Sequence, residues 1–250
     1  GNGQGDSHVL KFTRDGRFLM QVGEPGNDID SSSTTHFARV AKVSFDADGN
    51  EAFVADGYGN KRIVVVDADT GAFLRTWGAY GNEPDDADLG RFDPDAPPAQ
   101  QFRGPVHCAE PSNDGLVYVC DRTSNRIQVF QQDGTYVEEV FIEGRTRSSG
   151  STWEVAFSRD DAQRFMYVAD GINRKIHVMD RAALEVLYTF GDGGRQPGQF
   201  YGVHSIETDS AGNIYTTETW EGKRVQKFVY MGLGRVERGA NRGVLWPTQD

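Results

Sequence analysis

The stretch that decides the fold runs from Gln101 to Phe130 and reads QFRGPVHCAEPSNDGLVYVCDRTSNRIQVF. It contains three short runs of apolar and β-branched residues, separated by turns of Ser, Asn, Asp and Gly. Such turn residues adopt positive φ or bond their own backbone, so this pattern is typical of antiparallel hairpins. A turn at Gln131–Gly134 then leads into a fourth run, 135–142. Four short consecutive antiparallel strands predict one blade of a β-propeller.

An acidic residue closes the second strand of each repeat and is followed by a turn and a basic residue. It is Asp56 in VADGYGNKRIVVV, Asp121 in VCDRTSNRIQVF, Asp170 in VADGINRKIHVM and Glu218 in TTETWEGKRVQKF. Successive positions lie 65, 49 and 48 residues apart, close to the period of about 40–50 residues that radial β repeats show. We expect the three aspartates to cap turns by accepting backbone N–H bonds.

The repeats divide the chain into seven segments. These are a partial blade at 1–23 holding third and fourth strands, a blade at 37–78, an acidic insertion loop at 79–100, blades at 103–142 and 151–191, a last blade at 199–230, and a tail at 231–250. The insertion is rich in Asp, Pro and Gly, so we expect an exposed loop. Two strands, three blades and three strands leave sheet edges open. We therefore expect an upstream segment or a partner chain to complete the propeller.

Composition excludes some partners. A net charge of −11 argues against nucleic acid and anionic membrane surfaces, and no apolar run approaches the roughly 20 residues of a membrane span. The two cysteines, Cys108 and Cys120, are symmetric about the turn at Asp114, which places them opposite each other on adjacent strands. Whether they are bridged stays open at this point, since directly paired residues lie slightly too far apart for a relaxed disulfide. A bridge would favour an extracellular or periplasmic location.

Four stretches carry a resemblance to a known family: VADGYGNKRIVVVDADTGAFLRTWG, QFRGPVHCAEP, YVCDRTSNRIQVF and GQFYGVHSIETDSAGNIY. They resemble NHL repeats, and more closely the peptidyl-α-hydroxyglycine α-amidating lyases and their bacterial relatives. The resemblance covers roughly residues 7–228. It implies an all-β, six-bladed NHL-type propeller, of which this chain covers roughly the C-terminal four to five blades.

The resemblance also implies a site. The family holds Zn²⁺ in its central channel through three histidines from the innermost strands of three blades, and His107 and His204 match two of them. The third would lie upstream. The family's active-site tyrosine matches Tyr58 and one active-site arginine matches Arg122. Ser205 stands where the family usually has an acidic residue, which counts against the Ca²⁺ that the family often holds there.

The chemistry of these residue types suits that site. Imidazoles that converge from separate blades can hold Zn²⁺ with an open position, and the metal would polarise the hydroxyl of a carbinolamide. Tyr58 could take the hydroxyl proton and Arg122 could steady the glycine carboxylate of a peptide C-terminus or a similar small molecule, releasing an amide and glyoxylate.

Each of these residues also has a structural interpretation, as a buried polar residue, a turn aromatic or an ion-pair partner. Two functions therefore stay open: a metal-dependent lyase, or a non-catalytic NHL propeller that binds or scaffolds a protein or glycan.

Overall fold

The structure is a computed structural model that describes residues 3–234, and their regular secondary structure is almost entirely β-strand. The chain divides into two compact units, residues 1–147 and 148–250. Strands of the first unit are β1 (His8–Phe12), β2 (Phe18–Gly23), β3 (Lys42–Phe45), β4 (Glu51–Asp56), β5 (Arg62–Asp67), β6 (Phe73–Trp77), β7 (Val106–Pro111), β8 (Leu116–Asp121), β9 (Arg126–Gln131) and β10 (Tyr136–Phe141). Those of the second are β11 (Glu154–Phe157), β12 (Phe165–Asp170), β13 (Lys175–Asp180), β14 (Glu185–Phe190), β15 (Val203–Thr208), β16 (Ile214–Glu218) and β17 (Val225–Phe228).

Every sheet is an antiparallel meander in which consecutive strands are neighbours. The first unit holds the two-stranded sheet β1-β2 and the four-stranded sheets β3 to β6 and β7 to β10. The second holds the four-stranded sheet β11 to β14 and the three-stranded sheet β15 to β17. The prediction of an all-β propeller, of which this chain covers part, is therefore confirmed.

Burial follows the position of each strand within its sheet. The second and third strands of the four-stranded sheets are buried along most of their length, whereas the fourth strands are half-exposed. Runs such as FVA and IVVV in β4 and β5 have apolar residues on both faces, as strands covered on both sides require. Within each unit, neighbouring sheets therefore pack face to face.

The core of the first unit lies in the spaces between its sheets. One cluster joins Phe53, Ile63 and Trp77 of the second sheet to Val106 and Phe130 of the third. Another places Val9 and Val22 of β1 and β2 against residues of β3 to β5. In the second unit, a cluster around Ile176, Phe200 and Val203 joins the two sheets in the same way.

Buried ion pairs fix the end of the second strand in three sheets. The Oδ2 atoms of Asp56 and Asp121 each lie 2.9 Å from the Nε of the arginine that begins the next strand, Arg62 and Arg126, and all four side chains are at most 1% exposed. Glu218 and Arg224 form the third pair. A pair of buried opposite charges is retained only with good geometry and further hydrogen bonds.

These carboxylates also tie down the connector that enters each sheet. The turn capping predicted from sequence is found at Asp170, which accepts the N–H of Asn173 at 3.0 Å. It is wrong for Asp56, which instead accepts the N–H of Ala38 at 2.8 Å, 18 residues upstream. Asp121 likewise accepts the N–H of Arg103 at 3.2 Å. Asp56 and Asp121 therefore join the strand end to the incoming chain, and Asp56 also accepts Asn60 Nδ2 of its own turn at 2.7 Å.

The insertion 79–100 contains one short 3-10 turn, Ala79–Gly81, and no strand. It is mostly exposed but is held by polar contacts: the Asp86 carboxylate accepts the N–H of Ser31 at 2.8 Å, and Arg103 Nη1 donates to the carbonyls of Leu89 and Gly90 at 3.0 and 2.8 Å. Of the predicted tail, residues 235–250 lie outside the described residues.

Cys108 and Cys120 form a disulfide, with sulfurs 2.04 Å apart. They are directly paired between β7 and β8, which confirms the register predicted from the turn at Asp114. Such a bridge suits an oxidising compartment. Among the described residues, no helix has the length and apolar character of a membrane span.

Candidate functional site

Three of the four predicted site residues meet in the first unit. The Tyr58 hydroxyl lies 2.9 Å from His107 Nε2, and Arg122 Nη1 donates to the same hydroxyl at 3.2 Å. The Arg122 guanidinium lies over the Tyr58 ring, 5.5 Å from its centroid, and the imidazole meets that ring edge-on. The phenol oxygen of Tyr58 is therefore in hydrogen-bond contact with both an imidazole and a guanidinium.

The loop between β4 and β5 holds Tyr58 by its backbone. Its N–H donates to the Arg39 carbonyl at 3.2 Å, and Arg39 Nη2 donates back to the Tyr58 carbonyl at 3.0 Å. The next residue, Gly59, donates to the Ala38 carbonyl at 2.8 Å. These backbone contacts with the incoming connector fix the loop from which the Tyr58 side chain reaches His107 and Arg122.

His107 occupies an irregular position in its strand. Val106 pairs with Asp121 and Cys108 with Cys120, so the register shifts at His107, which is the extra residue of a β-bulge. His204 occupies the same position in β15, between Val203 and Ser205. By contrast, β3 and β11 pair with their neighbours without any shift.

Bulges redirect a side chain and are frequent beside functional sites. The two histidines of the prediction thus coincide with the two bulges found in the first strands of the described sheets. Sequence reasoning missed the bulges. The sequence feature that could have indicated them is the Val-His pair at the start of both strands, Val106-His107 and Val203-His204.

A close approach between neighbouring sheets sets the distance between Tyr58 and His107. A Cβ built on Gly57 would lie 2.0 Å from the Val106 carbonyl oxygen, so only glycine fits between Asp56 and Tyr58. Gly171 follows Asp170 in the same way, and its Cβ would lie 2.7 Å from the Val203 carbonyl oxygen. In both units a glycine therefore abuts the residue that precedes a bulged histidine.

Burial shapes the electrostatics of the cluster. Arg122 is 9% exposed and His107 is 4% exposed, whereas Tyr58 is half-buried. Desolvation lowers the pKa of the Arg122 guanidinium, and the neighbouring Tyr58 partly offsets this by raising it. A guanidinium stays charged under all ordinary conditions, so the cluster holds one largely desolvated positive charge beside the phenol.

His204 lies in the second unit and has different neighbours. Its Nδ1 is 3.3 Å from the Ser205 hydroxyl, and its ring meets Trp153 edge-on at a centroid distance of 5.3 Å. Trp153 immediately precedes β11, and its ring centroid also lies 5.5 Å from that of Trp220. An aromatic wall, rather than a phenol, faces this imidazole.

The described residues do not by themselves fit a zinc site. Zinc sites use three or four protein ligands, and among residues 3–234 no three His, Cys, Asp or Glu side chains are grouped to hold a metal ion. His107 Nε2 already contacts Tyr58, so it can reach a metal only if that hydroxyl moves.

Comparison with known proteins supports the predicted resemblance. No protein-family model matches the chain. Over 123 residues, 49% of the chain, it is 32% identical to peptidyl-glycine alpha-amidating monooxygenase B of Xenopus laevis and 30% identical to monooxygenase A. The chain spans only 12% and 11% of those two proteins. The resemblance predicted from the motifs is confirmed as a similarity over half of the chain.

Two solved structures share the fold. Virginiamycin B lyase from Staphylococcus aureus matches 90% of the chain and 64% of its own, with a TM-score of 0.54 and 12% identity. Kuenenia stuttgartiensis hydrazine synthase matches 74% of the chain and 43% of its own, with a TM-score of 0.51 and 17% identity. At identities this low, the similarity shows a shared fold and does not indicate a shared function.

Proposed function

We propose that this propeller is a lyase that cleaves a peptide ending in α-hydroxyglycine, or a similar carbinolamide, into an amide and glyoxylate. The observation that carries the proposal is the shared oxygen of Tyr58, which contacts both His107 Nε2 at 2.9 Å and Arg122 Nη1 at 3.2 Å. Similarity to amidating monooxygenases over half of the chain supports the choice of substrate class. The reaction needs only proton transfers and the cleavage of one C–N bond.

The hydrogen-bond directions favour Tyr58 as the base. Arginine can only donate, so the Tyr58 oxygen accepts from Arg122 and can offer its own proton to a neutral His107. The phenolate formed by that transfer lies beside the desolvated guanidinium, which stabilises it. A phenolate held in this way can remove the proton of the substrate hydroxyl.

Atoms balance in the following steps. Tyr58 passes its proton to His107 and takes the hydroxyl proton of the substrate. The C–N bond breaks as the carbinol C–O becomes a carbonyl, which gives glyoxylate. The His107 imidazolium then protonates the departing amide nitrogen, and both side chains return to their starting states. The positive charge of Arg122 also suits the substrate carboxylate.

Zinc belongs to the proposal as a cofactor to be measured. His107 and His204 would bind it together with a third ligand outside the described residues, and when bound it would polarise the substrate hydroxyl. His107 Nε2 would then hold the metal and could not take the Tyr58 proton, so the steps above describe the site without metal. Calcium would bind less strongly than in a site with a carboxylate after the last histidine, because Ser205 offers only a hydroxyl at that position.

The test is glyoxylate release from a peptide that ends in α-hydroxyglycine, using the complete protein. Tyr58→Phe should lower kcat by about 10²–10⁴-fold, the range for loss of a general base, and leave metal content unchanged. His107→Ala and His204→Ala should lose both activity and metal. Tyr188→Phe, which removes a hydroxyl from the half-exposed strand β14, is the matched control and should retain full activity.

Other outcomes would reject the lyase. A wild-type protein without glyoxylate release would leave the alternative of a propeller that only binds a protein or glycan. Retained activity in Tyr58→Phe would remove the base assigned here. Loss of activity in Tyr188→Phe would mean that the variants report general damage.

The open edge of β1 supports a proposal about a partner. The sheet β1-β2 has two strands, and the apolar surface beside it forms a cavity of about 290 Å³ lined by Val9, Met20, Val43 and Phe45. In the neighbouring sheet, Phe53 and Ala55 of the second strand β4 fill the corresponding space. We propose that a β-hairpin from an upstream segment or a partner chain pairs with β1. Because disulfides persist in oxidising compartments, we also propose an extracellular or periplasmic location for the assembled protein.

A further inference from the structure

A second cavity lies in the first unit, between the insertion 79–100 and the sheet β7 to β10. Its volume is about 400 Å³, which falls in the lower part of the range for small-molecule sites. It does not include Tyr58, His107 or Arg122. The proposed lyase chemistry does not use it.

The walls of this cavity are mainly apolar and rigid. The insertion supplies Phe92 and a run of prolines and alanines, and β10 supplies Phe141 on the other side. Proline residues have a fixed backbone φ and lose little conformational entropy when a ligand binds. Such a wall therefore suits the apolar part of a ligand.

Two polar groups of the lining are buried without a partner. Ser124 is 6% exposed, and its Oγ has no hydrogen-bond partner among the described residues. The same holds for Arg103 Nε. A buried donor left unpaired costs about 1–3 kcal/mol, so each of these groups would gain from a ligand that hydrogen-bonds to it.

Arg103 is oriented by its other contacts. Nη1 donates to two carbonyls of the insertion, and the guanidinium lies 5.7 Å from the Phe92 ring centroid. Within the described residues it forms no ion pair. The nearby cations differ in this respect, because Arg126 pairs with Asp121 and Arg145 pairs with Asp95 at 2.7 Å. Arg103 is therefore the one arginine of the described lining that forms no ion pair, and Asp93 is the acidic residue of the same lining.

We infer that this cavity binds a small organic monocarboxylate with an apolar, ring-sized body. A carboxylate accepts the parallel donors of a guanidinium edge and also a hydroxyl donor, which are the groups that Arg103 and Ser124 leave unpaired. The apolar walls cover the body of the ligand. This inference is independent of the proposed lyase.

The experiment compares 3-phenylpropionate with its neutral amide by isothermal titration and by protein NMR. The acid should bind at least about 10-fold more tightly than the amide, the lower bound for a hydrogen bond to a charged group. Shift changes should concentrate in residues 92–99 and 141–145. This comparison uses the unaltered protein, so it does not depend on the folding of any variant.

Variants then assign the contacts. Arg103→Gln should lower the affinity for the acid about 10- to 100-fold and leave the amide unchanged, and Ser124→Ala should lower the affinity for the acid by a smaller factor. Arg17→Gln removes an exposed cation in the turn between β1 and β2 and should bind normally. Equal affinity for acid and amide, shift changes elsewhere, or no binding at millimolar concentration would overturn the inference.

Discussion

Gly57→Ala tests the contact that places Tyr58 beside His107. The added methyl would lie 2.0, 2.4 and 2.6 Å from the Val106 carbonyl oxygen, nitrogen and carbonyl carbon. All three are backbone atoms of β7, so no side-chain rotation can relieve the clash. Gly57 does not adopt positive φ, so the substitution adds steric conflict without backbone strain.

The magnitude follows from two opposing effects. Overpacking costs about 1–3 kcal/mol, and clashes with three backbone atoms place this site at the upper end. Replacing glycine by alanine also restricts the unfolded chain, which returns about 0.4–1 kcal/mol. We expect a net loss of about 2 kcal/mol. At roughly 2–4 °C per kcal/mol for a chain of this size, Tm should fall by about 4–8 °C.

Urea titration and thermal melting measure this loss. Gly26→Ala is the matched control, because a Cβ at Gly26 meets nothing within 4 Å, and it should change stability by less than about 0.5 kcal/mol. Because β7 must move, the variant should also lose the contact between Tyr58 and His107. An unchanged midpoint in Gly57→Ala would refute the idea that this approach positions the site.

Three further outcomes are expected. Replacing Cys108 and Cys120 by alanine should cost about 3 kcal/mol, from the chain entropy of a 12-residue separation, and reductant should then have no further effect on the urea midpoint. Asp56→Asn leaves a buried guanidinium without its carboxylate and should cost about 3–5 kcal/mol by the same titration. Desolvation raises the pKa of Tyr80 from 10.0 to about 12, with its hydrogen bond to Glu139 acting in the same direction. The folded state therefore keeps this proton longer, so its contribution to stability is complete below pH 10 and is lost as pH rises towards 12, which ultraviolet titration of wild type against Tyr80→Phe should detect.

The strands could be predicted because their signals are local. Turn residues such as those around Asp114, and apolar runs of five or six residues, act within a single hairpin. The register that pairs Cys108 with Cys120 was predictable for the same reason, because it is set within one hairpin. Their covalent bond could not be decided from spacing, because it depends on the separation of two particular backbones.

The candidate site was less predictable because its contacts are not local. Tyr58 and His107 are 49 residues apart and Tyr58 and Arg122 are 64 apart, and their hydrogen bonds depend on how two sheets pack. The bulge at His107 reflects pairing with β8, which no single strand encodes. The insertion was expected to be an exposed loop, but the sequence did not predict that Asp86 joins it to Ser31 across 55 residues.

The sheet β11 to β14 shows how far a repeat can be trusted for side-chain roles. Asp170 keeps the position of Asp56, and Lys175 is paired with it as Arg62 is paired with Asp56. The partner of the carboxylate is nevertheless His177, two residues further along, with Nε2 3.1 Å from Oδ2 and Nδ1 3.1 Å from the Thr189 hydroxyl. An ammonium is strongly hydrated and lacks the planar fork of a guanidinium, so it fits a buried carboxylate poorly. A buried imidazole satisfies the same carboxylate with one nitrogen and a neighbouring hydroxyl with the other. Spacing thus predicts where a carboxylate must be satisfied, whereas burial and donor geometry decide which residue satisfies it.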